Sequence, residues 1–208
     1  MASKLFKTRG IVLRSVKYGE TSLVVTLYTE LFGIQSYLVN GVRKAAGRSG
    51  GKANLFQPAV LLDFVVYHQE GRSLNRIKEF HWGHLYQHIF SDVTKNAVAL
   101  IMVELLSHCL KQPEENTALF QFTEDCLVQL DEAPPAITAN LSLFFALHLT
   151  HFFGVSPRLT SLEGGIIYFD LIESVFSIAP PLHEQFIEGK RAQACADIFA
   201  ANEYAKNN

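Results

Sequence analysis

The chain has 208 residues, of which 49% are hydrophobic and 18% charged, a composition that supports a packed core and excludes a disordered protein. Its formal net charge is −2, but residues 1–80 hold 12 Lys/Arg against 5 Asp/Glu, whereas residues 81–208 hold 6 against 15. This asymmetry indicates a basic module that contacts a polyanion, joined to an acidic module with another role.

Cysteine usage and the N-terminus indicate the compartment. Cys109, Cys126 and Cys195 stand far apart and form no CxxC pair, which is typical of a reducing environment rather than of secretion. The opening MASKLFKTRG lacks the apolar core of a signal peptide, and the most apolar run, residues 141–153, is too short to span a bilayer. We therefore expect a cytoplasmic protein that has no membrane partner.

The first eighty residues have the pattern of short β-strands. In SLVVTLYT, the side chains of Leu23, Val25 and Leu27 alternate with those that point the other way. Similar runs, bounded by glycine or proline, predict five strands in all, over residues 8–16, 22–29, 33–40, 58–69 and 72–80. Five short strands in this length predict a five-stranded OB-fold barrel.

The remaining residues have the period of helices. Ser91 or Asp92 is predicted to cap a first helix, whose predicted apolar face is Val93, Ala97, Leu100, Ile101 and Leu105. A second helix follows Pro113, and its predicted face is Leu119, Phe122, Cys126, Leu127 and Leu130. Pro134 and Pro135 begin a third helix that ends near Gly154, residues 166–178 form a short hairpin, and a last amphipathic helix follows Pro180 and Pro181. The predicted fold class is α+β, β then α: an OB domain over residues 1–80 and a helical domain over residues 81–208.

The loop GVRKAAGRSGGKAN, residues 41–54, has four cations and no acidic residue: Arg43, Lys44, Arg48 and Lys52. Basic side chains on a glycine-rich segment can follow a phosphate backbone without reading its sequence. A solvated loop that keeps the protein soluble is the alternative. A nucleotide-binding P-loop is excluded, because Lys52 precedes Ala53 rather than serine or threonine. We predict a mobile element that tracks a nucleic-acid backbone.

Further cations of the basic half complete the predicted DNA-binding set: Arg9, Arg14, Lys17, Arg72, Arg76 and Lys78. In an OB barrel, Tyr18, Tyr28 and Tyr37 could stack on bases. Core packing is the more frequent role of any single tyrosine.

HWGHLYQH places His81, His84 and His88 at i, i+3 and i+7, roughly one face of a helix, where three imidazoles could hold a metal. Surface histidines without a metal are more common, and no GxSxG, HExxH or GxGxxG motif occurs. The sequence therefore predicts no metal, no cofactor and no enzymatic activity. A metal-dependent enzyme built on these histidines stays an alternative, as does an OB-fold RNA-binding or translation-associated factor.

Several segments follow one another in a recognisable order. GIVL is followed by a GET turn, a YTE-x-x-G hairpin and a strand ending in NGVRK, and then by LFQPAVLLDFVVY and RIKEF. In the helical half, VELL, EENTALFQF and HFFGVSPRL come next. This order resembles that of the bacterial RecO family of recombination mediators, and the resemblance covers nearly the whole chain.

The resemblance implies an OB barrel followed by a helical domain. It also implies binding of single- and double-stranded DNA, strand annealing, and loading of RecA, together with RecR, onto strands coated by single-stranded-DNA-binding protein (SSB). Many members carry a four-cysteine zinc site, but the corresponding SPRLTSLEGGIIYFDLIESVFS has no cysteine. We therefore expect Ile167, Phe169 and Phe176 to hold this hairpin. The chain also ends, at EYAKNN, earlier than the family pattern, so a final helix is expected to be absent.

Overall fold

A computed structural model describes residues 4–42, 53–69, 71–159 and 167–206. By its internal contacts the chain divides into two compact units, Met1–Ala139 and Asn140–Asn208. The first unit holds the β-strands of the basic half together with two helices. The sequence predicts a different kind of division, by function, between a DNA-binding domain that ends near residue 80 and a helical domain. That division stays a prediction.

Five strands of the first unit close into a barrel of the OB fold, as predicted. They are β1 (Lys4–Tyr18), β2 (Ser22–Thr29), β3 (Gly33–Val39), β4 (Leu61–His68) and β5 (Asn75–Trp82). Their order around the barrel is β1-β2-β3-β5-β4, and β4 pairs antiparallel with β1 to close it. Only β3 and β5, among the barrel pairs, run parallel, where Tyr37 lies opposite Asn75.

Alternating side chains fill the interior of this barrel. The predicted inward set of β2, Leu23, Val25 and Leu27, is buried, as are Tyr37 of β3 and Phe64 of β4. Burial of each such side chain contributes roughly 1.5–3 kcal/mol, so the barrel interior is the main source of stability in this unit.

A second layer of contacts joins the outside of the barrel to a helix of the same unit, α2 (Thr117–Glu132). Tyr28 of β2 is fully buried, and its hydroxyl donates to the carbonyl oxygen of Asn116 at 3.0 Å. Its ring lies 5.7 Å from that of Phe120. These contacts cover the Tyr28 side chain on the outside of the barrel. Both faces of β2 are therefore buried over its last three residues.

Helix α1 (Val93–Cys109) begins at the predicted cap, where the Asp92 carboxylate accepts from the backbone N–H groups of Thr94 and Lys95. The predicted apolar face of this helix is wrong: Val93, Leu100 and Ile101 are exposed. The buried residues are Val98, Ala99, Met102, Val103 and Leu106. Because α1 is apolar on both faces, the periodicity of its sequence did not distinguish the inner face from the outer one.

The predicted face of α2 agrees with the structure. Leu119, Cys126, Leu127 and Leu130 are buried and Phe122 is half-buried, while the Asn116 side chain caps the helix by accepting from the N–H of Leu119. Helix α3 (Pro135–Phe152) begins at the predicted proline and continues into the second unit.

The second unit contains a small sheet with strand order β6-β8-β7-β9. Its strands are β6 (Arg158–Leu159), β7 (Tyr168–Asp170), β8 (Val175–Ser177) and β9 (Phe186–Glu188), followed by α4 (Gly189–Lys206). The predicted hairpin is β7–β8, and the predicted last helix begins eight residues after Pro181, because β9 intervenes. Ile167, Phe169 and Phe176 are buried against α4, as expected, and the two phenylalanine rings stack at 4.2 Å.

Candidate nucleic-acid interface

Five of the predicted DNA-binding cations are exposed on the barrel. Arg14 and Lys17 lie at the end of β1 that pairs with β2, while Arg72 lies in the β4–β5 loop, with Arg76 and Lys78 on β5. Lys78 also lies 3.2 Å from the carboxylate of its exposed neighbour Glu79, a contact worth little in water. The barrel thus presents two groups of cations that solvent, or a phosphate chain, can reach.

Arg9 has a different environment from the other predicted cations. Its guanidinium donates two hydrogen bonds to Glu30, at 2.8 and 3.0 Å, and a third to Glu124 of α2 at 2.6 Å. The Arg9 hydrogen bonds hold the pKa of Glu30 below its usual value, whereas burial raises the pKa of Glu124 although Arg9 opposes this. Arg9 is therefore hydrogen-bonded to two carboxylates, and these bonds connect β1 and the β2–β3 turn to α2.

Four further predicted cations, Arg43, Lys44, Arg48 and Lys52, lie outside the residues that the structure describes. The ends of their segment are placed by the barrel. Val39 ends β3, and a short 3₁₀ turn, Ala53–Phe56, leads back into the core through the buried Phe56. A DNA-tracking role for this segment stays a prediction.

Two of the three tyrosines considered for base stacking are unavailable for it. Tyr28 and Tyr37 are fully buried, so core packing is their role, while Tyr18 at the end of β1 is 56% exposed. Other aromatic rings take the exposed position on the barrel. The sequence did not single them out, because they come from the start of β1, the β2–β3 turn and the end of β4, which meet only when the barrel closes.

A groove of about 1190 Å³ lies between the start of β1, the β2–β3 turn, the β4–β5 loop and the segment before α2. Phe32 and His68 stack within it, with ring centroids 3.9 Å apart and planes inclined by 10°. Phe6 meets the Phe32 ring edge-on at 5.3 Å. The groove is also lined by polar and charged side chains, among them Lys4, Thr26, Gln35, Ser36, Arg72 and Glu115. We call this site the ring groove.

The three histidines considered for a metal are not on a helix, which corrects that premise. His81 lies on β5, and His84 and His88 lie in the irregular segment that follows. Within the described part of the chain, the grouping of possible ligand atoms that includes any of them is His88 with Asp131 and Glu132. Both Asp131 oxygens are occupied there, because they accept from the backbone N–H groups of Gln87, His88 and Ile89 at 2.7–2.8 Å. The carboxylate therefore anchors this segment to α2.

Replacing Asp131 by asparagine should destabilise the protein at neutral pH by about 2–4 kcal/mol, since buried backbone donors lose a charged acceptor. Burial tends to raise the Asp131 pKa, but the three N–H donors outweigh burial and hold it below the usual value. Because the pKa of Asp131 is lower in the folded than in the unfolded protein, its carboxylate stabilises the folded state above roughly pH 4. This stabilisation is lost as the pH falls through the pKa of Asp131 in the folded protein. Urea unfolding should therefore show that Asp131→Asn lowers the free energy of unfolding less at about pH 3 than at about pH 7.

Asp125→Asn, at an exposed position of the same helix, is the matched control for this measurement. It removes the same charge without removing a backbone anchor. A cost of Asp131→Asn no larger than that of Asp125→Asn, or one that is the same at both ends of the pH range, would contradict the role given to Asp131.

The purified protein is expected to contain no stoichiometric zinc. The stretch where many family members carry four cysteines has none, and Phe169 and Phe176 fill the hairpin core there. The cysteines of the chain are elsewhere, and burial raises the pKa of Cys126 to about 12 and also raises that of Cys195, which disfavours the thiolate that zinc requires. Elemental analysis that found one zinc per chain would overturn this prediction.

Among the described residues, no helix combines the length and the apolar character needed to cross a bilayer.

Comparisons with known proteins match both halves of the chain. The family profile described as "Recombination protein O N terminal" matches residues 1–86, and "Recombination protein O C terminal" matches residues 90–162. A protein named "DNA repair protein RecO" from Bacteroides fragilis is 35% identical over 199 residues, which cover 95% of this chain and 81% of the relative.

Two further relatives with the same name agree with this match. The one from Phocaeicola vulgatus is 31% identical and is aligned over 90% of this chain and 76% of its own length. The one from Christiangramia forsetii is 30% identical over 98% of this chain and 84% of the relative. With an OB barrel, a helical C-terminal half and this similarity over most of its length, the chain belongs to the recombination protein O (RecO) family.

Proposed function

We propose that this protein is a DNA-binding and strand-annealing mediator of recombinational DNA repair in the RecF pathway, and that it acts without catalysing a reaction. The observation that carries the proposal is the OB barrel, on which Arg72 lines the ring groove and Arg76 and Lys78 are exposed on β5. OB folds bind oligonucleotides on the face of strands 2 and 3 and with the loops that join strands 1 and 2 and strands 4 and 5. The relatives' name, "DNA repair protein RecO", supports the pathway.

The mechanism follows from charge. Two DNA strands repel each other through their phosphates, and cations on the protein replace condensed counterions on both backbones. Contacts to phosphates fix position without reading sequence, so most bases remain free to pair with a complementary strand. The exposed cations of β1 and β5 lie on separate parts of the barrel, so more than one segment of backbone can be held at once.

The partners we propose are those that the family resemblance implies. They are single- and double-stranded DNA, RecR, the SSB that coats single strands, and RecA as the protein loaded afterwards. We assign none of these protein partners to a particular surface.

Annealing of two complementary strands, one of them coated with SSB, tests the proposal. The wild-type protein should accelerate duplex formation, followed by energy transfer between dyes on the two strands. Arg76→Gln with Lys78→Gln should slow annealing roughly tenfold or more, because each lost phosphate contact forfeits counterion release. The matched control is Lys190→Gln with Arg191→Gln, which removes two exposed cations from α4. Equal rates with and without the wild-type protein would contradict the proposal.

A further inference from the structure

We propose that the ring groove binds an unpaired base of single-stranded DNA, so that the barrel distinguishes a single strand from a duplex. This inference rests on the proposed function and adds to it a site and a ligand. It concerns three rings, Phe6, Phe32 and His68, none of which was among the residues expected to contact DNA.

The rings form a continuous aromatic wall. Phe32 and His68 are stacked nearly parallel, and Phe6 stands almost perpendicular to both, at 5.3 Å from Phe32 and 6.0 Å from His68. All three rings are half-buried, and Phe6 and Phe32 also pack against the barrel core, which holds them in place. Aromatic side chains at the surface of an OB fold are platforms on which bases stack, and stacking tolerates any sequence because every base has a π-face.

Polar side chains beside the wall suit the edge of a base. Thr26 and Ser36 place their hydroxyls 3.4 Å apart on neighbouring strands. The Gln35 side chain donates its amide to the Phe32 carbonyl oxygen at 3.3 Å, which orients the carboxamide in the groove. Hydroxyl and carboxamide groups both donate and accept hydrogen bonds, so they can pair with several base edges without specifying one.

Charges at the rim complete the match to a nucleotide. Lys4 and Arg72 are exposed and line the groove from β1 and from the β4–β5 loop. Either cation can hold the phosphate next to a stacked base. Glu115 lines the groove from the segment before α2 and repels phosphate, so the backbone is expected to run past Lys4 and Arg72 and away from Glu115.

The groove selects an unpaired base because a duplex covers both faces of each base with its neighbours. A paired base would have to leave the stack to reach the rings, at a cost of a few kcal/mol. The volume of about 1190 Å³ is somewhat above the ~300–1,000 Å³ typical of small-molecule sites, so one or two nucleotides fit. The rest of the strand stays free to pair, which keeps this site compatible with annealing.

The test compares two single strands of about 16 nucleotides, the upper site size of an OB fold. One is oligothymidine and the other has the same sugar–phosphate backbone without bases. Stacking is worth about 1–3 kcal/mol per base, so the wild-type protein should bind the thymidine strand roughly 5- to 150-fold more tightly. Phe32→Leu, which keeps an apolar side chain but removes the ring, should collapse this ratio towards one and leave affinity for the abasic strand unchanged.

Phe80→Leu is the matched control. Phe80 is also half-buried against the barrel core, where it packs on Phe56, but it does not line the groove. It should keep the wild-type ratio.

Two results would overturn the inference and leave the proposed function standing. One is a wild-type ratio near one. The other is a Phe32→Leu variant that loses affinity equally for both strands, which would indicate a structural role for the ring. A wild-type protein that bound neither strand would refute the proposed function together with the inference.

Discussion

Replacing Gly33 by alanine is expected to destabilise the protein by about 3 kcal/mol or more, measured by urea unfolding. Gly33 begins β3 with φ of +60°, where a residue with a Cβ atom is strained by roughly 1–2 kcal/mol. A Cβ atom there would also lie 2.2 Å from the carbonyl oxygen of Glu114 and 2.7 Å from its nitrogen. Because these are backbone atoms, one segment must move, which adds about 1–3 kcal/mol.

Gly19→Ala separates the two effects. Gly19 has nearly the same φ, +58°, but no atom of the described residues lies within 4 Å of where its Cβ would be. Its substitution should therefore cost only the strain of the left-handed conformation. Equal costs for the two variants would show that the close approach of the β2–β3 turn to the segment before α2 contributes nothing.

Replacing Arg43, Lys44, Arg48 and Lys52 by alanine together is expected to weaken DNA binding strongly. If each cation contacts one phosphate, the slope of log affinity against log salt should become shallower by about 3, since each contact contributes roughly 0.7–0.9. The free energy of unfolding should change by no more than about 0.5 kcal/mol, because surface substitutions rarely do more. This prediction rests on the sequence of residues 41–54, whose central part lies outside the described residues.

The matched control removes four exposed cations elsewhere, Lys111, Arg158, Lys190 and Arg191, so that the net charge falls equally. DNA affinity should depend far more on the loop than on these positions. Unchanged affinity in the loop variant would refute a DNA-tracking role, and a large loss of stability would show that the loop belongs to the fold.

The barrel was predictable because its strands alternate and are bounded by turn residues. The motif YTELFG, residues 28–33, makes contacts that this alternating pattern does not show. Tyr28 donates to the carbonyl oxygen of Asn116, Thr29 accepts from the N–H of Phe32 and donates to the carbonyl oxygen of Gly33, and Glu30 pairs with Arg9. Every contact except those of Thr29 reaches a residue distant in sequence. Local reasoning could therefore place the hairpin but could not say why its residues have these identities.

One wrong prediction and one concealed contact have related physical causes. Helix α1 is apolar on both faces, so its period could not show that Met102 and Val103, rather than Leu100 and Ile101, face the core. Arg9 stands in the predicted DNA-binding set, and the sequence did not show that it pairs with Glu124, which lies 115 residues further along the chain. In both cases tertiary contacts decide the outcome, and sequence spacing carries no signal of them.

The ring groove was missed for a similar reason. The sequence pointed to tyrosines within strands, of which two are buried. The half-buried aromatic wall instead brings together Phe6, Phe32 and His68 from β1, a turn and the end of β4. Only the closure of the barrel between β1 and β4, which sets Lys4 opposite His68, places these rings side by side.

A salt titration of DNA affinity tests most directly the central claim that binding is dominated by the phosphate backbone. The measurement is the affinity of the wild-type protein for one single-stranded oligonucleotide, between about 50 and about 200 mM salt. With four or more phosphate contacts, log affinity should fall against log salt with a slope of about −3 or steeper, a loss of roughly 60-fold across this range. An affinity that stayed flat across the range would contradict the account.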